Sequence, residues 1–151
     1  MNIVTRLSDM GIELPPAAAP VASYVPVVVH GGMAFVSGQL PFIEGQLVTG
    51  KLGQDLGTER GIQAARACGL MILAQLEAAD LLDRVEKVVK LGGFVACTPD
   101  FTEQPKVANG ASDLMVEVFG EAGKHARSAV GVPVLPLNAA VEVDAILALK
   151  G

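Results

Sequence analysis

The sequence predicts an α+β fold in which two main helices pack on one face of a mixed β-sheet. Strand-like runs of β-branched and apolar residues fall at 24–38, 85–98 and 126–146, with helical patterns between them at 58–79 and 105–119. The resulting order, β-β-(β)-α-β-α-β-β, is typical of a sandwich with helices on one side of a sheet. At 151 residues the chain is long enough to bury a proper core as one domain.

The N-terminal region is predicted to form a short helix of its own. Apolar residues recur at helical spacing over residues 2–12, and Pro15 and Pro16 stop any further helix. We expect residues 1–20 to form this helix and a Pro/Ala loop, and residues 21–151 to form the main domain.

The first strands are predicted to form a hairpin. Residues 24–29 and 33–38 are strand-like and flank a tight Gly-Gly turn at 31–32. Residues 46–49 predict a short edge strand after a loop.

Glycines mark four special positions in the middle of the chain. In the first long helix, which Thr58 is predicted to N-cap, Gly69 lies on the apolar stripe and predicts close approach of the sheet. Gly92 and Gly93 predict a bulge or a bend inside the long strand. The pair 109–110, Asn-Gly, predicts a break in the second helix.

The last quarter of the chain carries the charges that most invite a functional explanation. Arg127 lies in an otherwise apolar strand-like run, and residues 141–146 alternate strictly. Glu142 and Asp144 therefore point to one side of that strand, opposite to its apolar residues. Because only 18% of the chain is charged, these residues are expected to meet a ligand or each other.

The composition argues against several classes of partner and cofactor. The low charged fraction predicts a surface partly covered by other subunits, and the net charge of −5 without a basic cluster argues against nucleic acid. The chain has neither a signal-peptide pattern nor a membrane-length apolar run, which predicts a cytoplasmic protein. Cys68 and Cys97 are isolated and predicted to be buried thiols, and His30 and His125 are taken as surface residues, so no metal site is expected.

One apparent phosphate-binding motif is set aside. Residues 45–52 nearly match a P-loop, but Leu52 replaces the Ser or Thr that ligates magnesium, and Gly53 interrupts the helix that should follow.

Four segments together resemble the YjgF/RidA family (reactive intermediate deaminase A), in a diverged and longer branch. They are Ser-Gly-Gln-Leu-Pro at 37–41, Ala-Arg-Ser at 126–128, Leu-Pro at 135–136, and the alternating run at 141–146. The resemblance covers about residues 20–149. It implies a chorismate-mutase-like fold and a homotrimer with pockets between subunits, and no cofactor.

The resemblance also implies two catalytic positions. Arg127 stands where the family binds the substrate carboxylate, and Glu142 stands where the family orients the attacking water. Arginine suits a carboxylate because its planar fork donates two parallel hydrogen bonds. The alternative from the residues alone is an internal salt bridge from Arg127 to Glu142 or Asp144. Asp144 is also expected to raise the pKa of Glu142.

Four further substrate-binding positions follow from the resemblance. Tyr24 matches a tyrosine that closes the pocket, and Ser37 and Gly38 match the loop whose backbone lines it. Asn109 corresponds to an asparagine of the second helix, although its spacing to Arg127 aligns only with a gap.

Three departures from the family separate two functional hypotheses. Ala129 replaces a cysteine typical of the deaminase branch, about twenty N-terminal residues are extra, and residues 104–112 differ from the usual second helix. The leading hypothesis is a hydrolytic deaminase of small enamine or imine intermediates of the 2-aminoacrylate type. The alternative is a non-catalytic trimer that binds small carboxylate metabolites. A ribonuclease, an activity attached to relatives, is disfavoured by the charge balance.

Overall fold

The computed structural model describes residues 2–20 and 22–151 and has the predicted α+β architecture. Its helices and strands are α1 (Ile3–Asp9), β1 (Val27–His30), β2 (Met33–Gln39), β3 (Phe42–Ile43), β4 (Gln46–Leu47), α2 (Thr58–Ala78), β5 (Val85–Ala96), α3 (Gln104–Phe119), β6 (Ala126–Val132) and β7 (Val141–Leu149). The predicted domain boundary falls at residue 21, which lies outside the described residues.

The main sheet has five strands in the order β1-β2-β7-β5-β6. All neighbours are antiparallel except β5 and β6, which are parallel and connected through α3. The two closing strands β6 and β7 are therefore not neighbours, since β5 lies between them. The short strands β3 and β4 pair only with each other, so the predicted edge strand at 46–49 does not join the main sheet.

One face of the sheet is buried under α2 and α3, and none of the helices and strands named above covers the other face. The alternation predicted for β7 is confirmed: Val141, Val143 and Ala145 are buried against the helices, whereas Glu142 and Asp144 are half-buried on the open face. Burial of apolar side chains at about 25 cal/mol per Å² is the main term that holds such layers together.

Three sequence interpretations around the helices are wrong, each for a steric or hydrogen-bonding reason. The N-cap of α2 is Gly57, and the hydroxyl of Thr58 instead donates to Glu103 Oε2 at 2.7 Å. Gly69 allows close approach of α3 rather than of the sheet. The helix α3 runs unbroken through Gly110, where a side chain would overlap the carbonyl oxygen of Ile62 on α2.

The glycine pair in β5 and the two cysteines differ in part from expectation. The register of β5 on β7 is continuous through Gly92 and Gly93, so the predicted bulge is absent there. A side chain at Gly92 would overlap the carboxylate of Asp144, which explains why the position is glycine. Cys68 is buried as predicted, whereas Cys97 is only half-buried.

Candidate functional site

A β-bulge in β2 presents Ser37 and Gly38 at one part of the candidate site. Val36 pairs with Ala145 and Gln39 pairs with Val143, so β2 has one more residue than β7 between these two pairs. A bulge of this kind bends the strand and changes the direction of its side chains, and bulges are common next to active sites. The backbone N–H of Ser37 donates to the Pro26 carbonyl at 2.9 Å, which ties the bulge to the entry of β1.

The carboxylate of Glu142 lies directly against Gly38. A side chain at position 38 would overlap this carboxylate, so only glycine lets the two strands keep it in place. Burial raises the pKa of Glu142, and the neighbouring charge of Asp144 raises it further. The prediction that Asp144 acts on Glu142 is thus confirmed, although burial is the larger cause.

Asp144 is the second carboxylate on this strand. Burial raises its pKa, while a hydrogen bond from the Gly92 N–H and the charge of Lys90 act in the opposite direction. The two carboxylates therefore share one side of β7 and differ in their surroundings, since the Gly92 N–H and the charge of Lys90 oppose the rise in pKa at Asp144 and not at Glu142.

A small cavity of about 70 Å³ adjoins the bulge. Tyr24 is one of its lining residues together with Ser37 and Gly38, and Leu137 contributes from the turn before β7. Tyr24 precedes β1 rather than starting the strand, because the strand begins at Val27. Three predicted binding residues therefore lie at one cavity, whereas Glu142 lies against Gly38 and is not itself a lining residue.

Arg127 lies at the other part of the candidate site, on the edge strand β6. Its Nη1 donates to Asn109 Oδ1 at 2.8 Å and to Ser112 Oγ at 3.1 Å, and its Nη2 donates to the Pro105 carbonyl at 3.4 Å. All three acceptors are neutral. Among the described residues Arg127 makes no ion pair, so the alternative of an internal salt bridge to Glu142 or Asp144 is wrong for the single chain.

Strand register places Arg127 and Glu142 on opposite faces of the sheet. Arg127 pairs with Leu91, and Leu91 pairs with Ala145, which is buried on the helix face. Glu142 is three residues from Ala145 along an unshifted strand, so its side chain points to the open face. The six candidate residues therefore form two separate groups, called half-sites below, one at Arg127 and Asn109 and one at Glu142, Gly38, Ser37 and Tyr24.

Sequence reasoning missed four polar residues that support these half-sites. Ser112 Oγ lies 2.8 Å from His125 Nε2, and His125 Nδ1 lies 2.6 Å from the Gly123 carbonyl. Because a carbonyl only accepts, Nδ1 carries a proton, and in the neutral ring Nε2 then accepts from the Ser112 hydroxyl. His125, interpreted as a surface residue, is half-buried, and both of its ring nitrogens are hydrogen-bonded. Ser112 follows Asn109 by three helical positions, which is a signal the sequence contains.

The other two missed residues are Gln39 and Gln75, which are buried and hydrogen-bonded to each other at 3.2 Å. No local pattern joins them, since Gln39 lies on β2 and Gln75 on α2.

A larger cavity, of about 750 Å³, lies elsewhere. It is lined mostly by apolar residues of the N-terminal segment, of α2 and of the β3–β4 hairpin, and includes none of the six candidate residues.

Within residues 2–20 and 22–151, no three His, Cys, Asp or Glu side chains are arranged to hold a metal ion. None of the described helices is long and apolar enough to cross a membrane.

The fold and the two half-sites define a class of small α+β proteins with an open sheet face. Residues 4–148 match the family described as "YjgF/chorismate mutase-like, putative endoribonuclease". The chain belongs to this YjgF/RidA family.

Individual relatives agree with this assignment. The chain is 53% identical to protein TCP17 of Trypanosoma cruzi, over 99% of this chain and 95% of that protein. It is 28% identical to a 2-iminobutanoate/2-iminopropanoate deaminase of Dermatophagoides farinae, over 92% and 95%. The crystal structure of a protein of Shewanella oneidensis called a putative endoribonuclease superposes with a TM-score of 0.93 at 36% identity, covering 99% of this chain and 100% of that one.

Proposed function

We propose that this protein is a RidA-like hydrolytic deaminase of small enamine or imine intermediates of the 2-aminoacrylate type. The observation that carries the proposal is the state of Arg127, a guanidinium positioned by three neutral acceptors and not paired with any described carboxylate. A half-buried cation bonded only to neutral groups is available to an anionic partner, and a substrate carboxylate matches its planar fork.

The reaction asks for a water molecule and a group that polarises it. Water adds to the C=N carbon, the nitrogen takes a proton, and collapse of the carbinolamine releases ammonia and leaves a 2-oxo acid. Glu142 is suited to orient and deprotonate the water because its carboxylate is half-buried and lies against Gly38, which lines the small cavity. Its raised pKa makes it a better proton acceptor than an ordinary glutamate.

A complete site under this proposal requires a second copy of the chain, since Arg127 and Glu142 lie on opposite faces. Support for such assembly comes from the open face, where Val28, Phe35 and Val130 are 48%, 43% and 44% exposed. Register places all three on the same face as Glu142. Exposed apolar side chains grouped in this way are typical of subunit interfaces. We therefore propose a homotrimer with each site built between two subunits.

The second candidate function is a non-catalytic trimer that binds small carboxylate metabolites. It is favoured by Ala129, two residues after Arg127 on β6, where the deaminase branch typically has a cysteine. It would use Arg127 in the same way and would not need Glu142 as a base.

The experiment that separates the two functions generates the intermediate in place. A pyridoxal-phosphate dehydratase acting on threonine releases 2-aminocrotonate and its imine. The formation of 2-oxobutanoate is followed with a dehydrogenase, under conditions in which hydrolysis of the imine is the slowest step. A deaminase accelerates this step, and Glu142→Gln abolishes the acceleration. If the wild type binds 2-oxobutanoate without accelerating its formation, the binder is correct and the deaminase is wrong.

A further inference from the structure

Two buried amides connect the N-terminal segment to the candidate site. Gln39 and Gln75 are 5% and 4% exposed, and they are the buried polar side chains of the described part of the chain. Gln75 Nε2 donates to the Ala18 carbonyl at 2.7 Å and to Gln39 Oε1 at 3.2 Å. Gln39 Nε2 in turn donates to the Ser37 carbonyl at 3.0 Å.

These three hydrogen bonds form a continuous chain from the Ala18 carbonyl through Gln75 and Gln39 to the Ser37 carbonyl in the bulge. Burying an amide is unfavourable unless its donors and acceptors are satisfied, so an apolar pair would serve a purely structural role at least as well. The two glutamine side chains are hydrogen-bonded to each other. Gln75 also donates to the N-terminal segment, and Gln39 also donates to Ser37. Their arrangement fixes the segment relative to the bulge.

The segment held by Gln75 also forms a wall of the small cavity. Ala18, Ala19 and Pro20 line it together with Ser37 and Gly38, and both glutamines are lining residues as well. At about 70 Å³, the space left in this chain suits a small group and no bulky side chain.

We propose that Gln75 and Gln39 are positioning residues that hold residues 18–20 over Ser37 and Gly38, and that this wall limits the site to small substrates. The size limit rests on the function proposed above, whereas the position of the wall does not. The N-terminal segment thereby acts in substrate selection.

The position of the wall is tested with a thiol probe that needs no substrate. Ser37→Cys in a Cys97→Ala background places a thiol in the cavity, and its alkylation by iodoacetamide is measured with and without Gln75→Met. Methionine keeps the volume of glutamine and removes both donated hydrogen bonds. We expect alkylation to become about tenfold faster, because the wall opens more often. The matched control is Gln54→Met, an exposed glutamine that lines none of the described cavities.

An unchanged alkylation rate in Gln75→Met, or an equal increase in the control, overturns the position of the wall. Melting temperature measured on the same proteins separates local opening from general unfolding.

The size limit is tested by comparing affinities for 2-oxobutanoate and 4-phenyl-2-oxobutanoate. In Gln75→Met the ratio of the two dissociation constants should shift by about tenfold towards the bulky acid, which a purely structural residue would not cause. An unchanged ratio in a protein whose thiol has become accessible shows that the wall does not select substrates. If neither acid binds the wild type, the proposed function is wrong, and the alkylation rate still decides where the wall lies.

Discussion

Arg127 and Glu142 lie on opposite faces of the sheet, although only one strand, β5, separates the strands that carry them. A substrate bound by the guanidinium of one chain therefore cannot meet the carboxylate of the same chain across the sheet. This relationship makes assembly a requirement of the proposed chemistry, and it leads to predictions about the assembly, the charges and the glycine beside Glu142.

We predict that the protein is a trimer in solution and that Phe35→Glu dissociates it. Phe35 is 43% exposed on the open face, and a buried unpaired charge in an interface is strongly unfavourable. Light scattering should give three times the 15.5 kDa chain mass for the wild type and a smaller mass for the variant. The matched control is Val116→Glu, a 37%-exposed apolar residue of α3, which should stay trimeric. A monomeric wild type at micromolar concentration contradicts the shared site.

We predict that Arg127→Lys loses 2-oxobutanoate binding nearly as completely as Arg127→Ala. Lysine offers a point charge in place of a fork, and the loss should be about 2–4 kcal/mol, or roughly 30- to 1000-fold. Melting should change little, because Arg127 is bonded to neutral groups that water can satisfy after its removal. Titration calorimetry and thermal melting on the same samples check both statements. Collapsed melting, or unaltered binding, would show that Arg127 is a structural residue.

We predict that Glu142→Gln makes the protein more stable at neutral pH. Because the pKa of Glu142 is raised on folding, the folded state holds its proton more tightly than the unfolded state does. Stability of the wild type therefore falls as pH rises from the unfolded pKa through the folded one, and stays lower above it. Urea unfolding at several pH values should show the advantage of the variant at pH 7 and its disappearance at acidic pH. An advantage independent of pH would mean that ionisation of Glu142 is not its cause.

We predict that Gly38→Ala is destabilising in the wild type and tolerated in Glu142→Ala. The new methyl group overlaps the carboxylate of Glu142, and overpacking of this kind costs about 1–3 kcal/mol. Once the carboxylate is gone, the methyl group has space. A double-mutant cycle on the free energy of unfolding measures this coupling. Additive effects would show that Gly38 is glycine for another reason.

The fold class could be predicted from the sequence because it depends on local patterns, whereas the candidate site positions came from the resemblance to the family and stay predictions. The strict alternation in β7 predicted which of its residues are buried, and it predicted that Glu142 and Asp144 lie on the same face of the sheet. The relation of Arg127 to Glu142 was beyond such patterns, since the strand between them comes from residues 85–96, far away in sequence. Tertiary contacts also overrode local signals: Gly110 favours close helix packing instead of a break, and Gln39 meets Gln75 through the core.

The most direct test of the shared catalytic site is complementation between two inactive variants. Arg127→Ala and Glu142→Ala are each expected to be inactive in the coupled imine hydrolysis assay, because each lacks one half-site in every subunit. In mixed trimers formed by co-expression, one of the three sites combines an intact Arg127 with an intact Glu142 from a neighbouring chain. Random assortment at equal amounts should therefore restore about one quarter of wild-type activity. Co-expressed variants that assemble into mixed trimers and remain inactive would contradict the account.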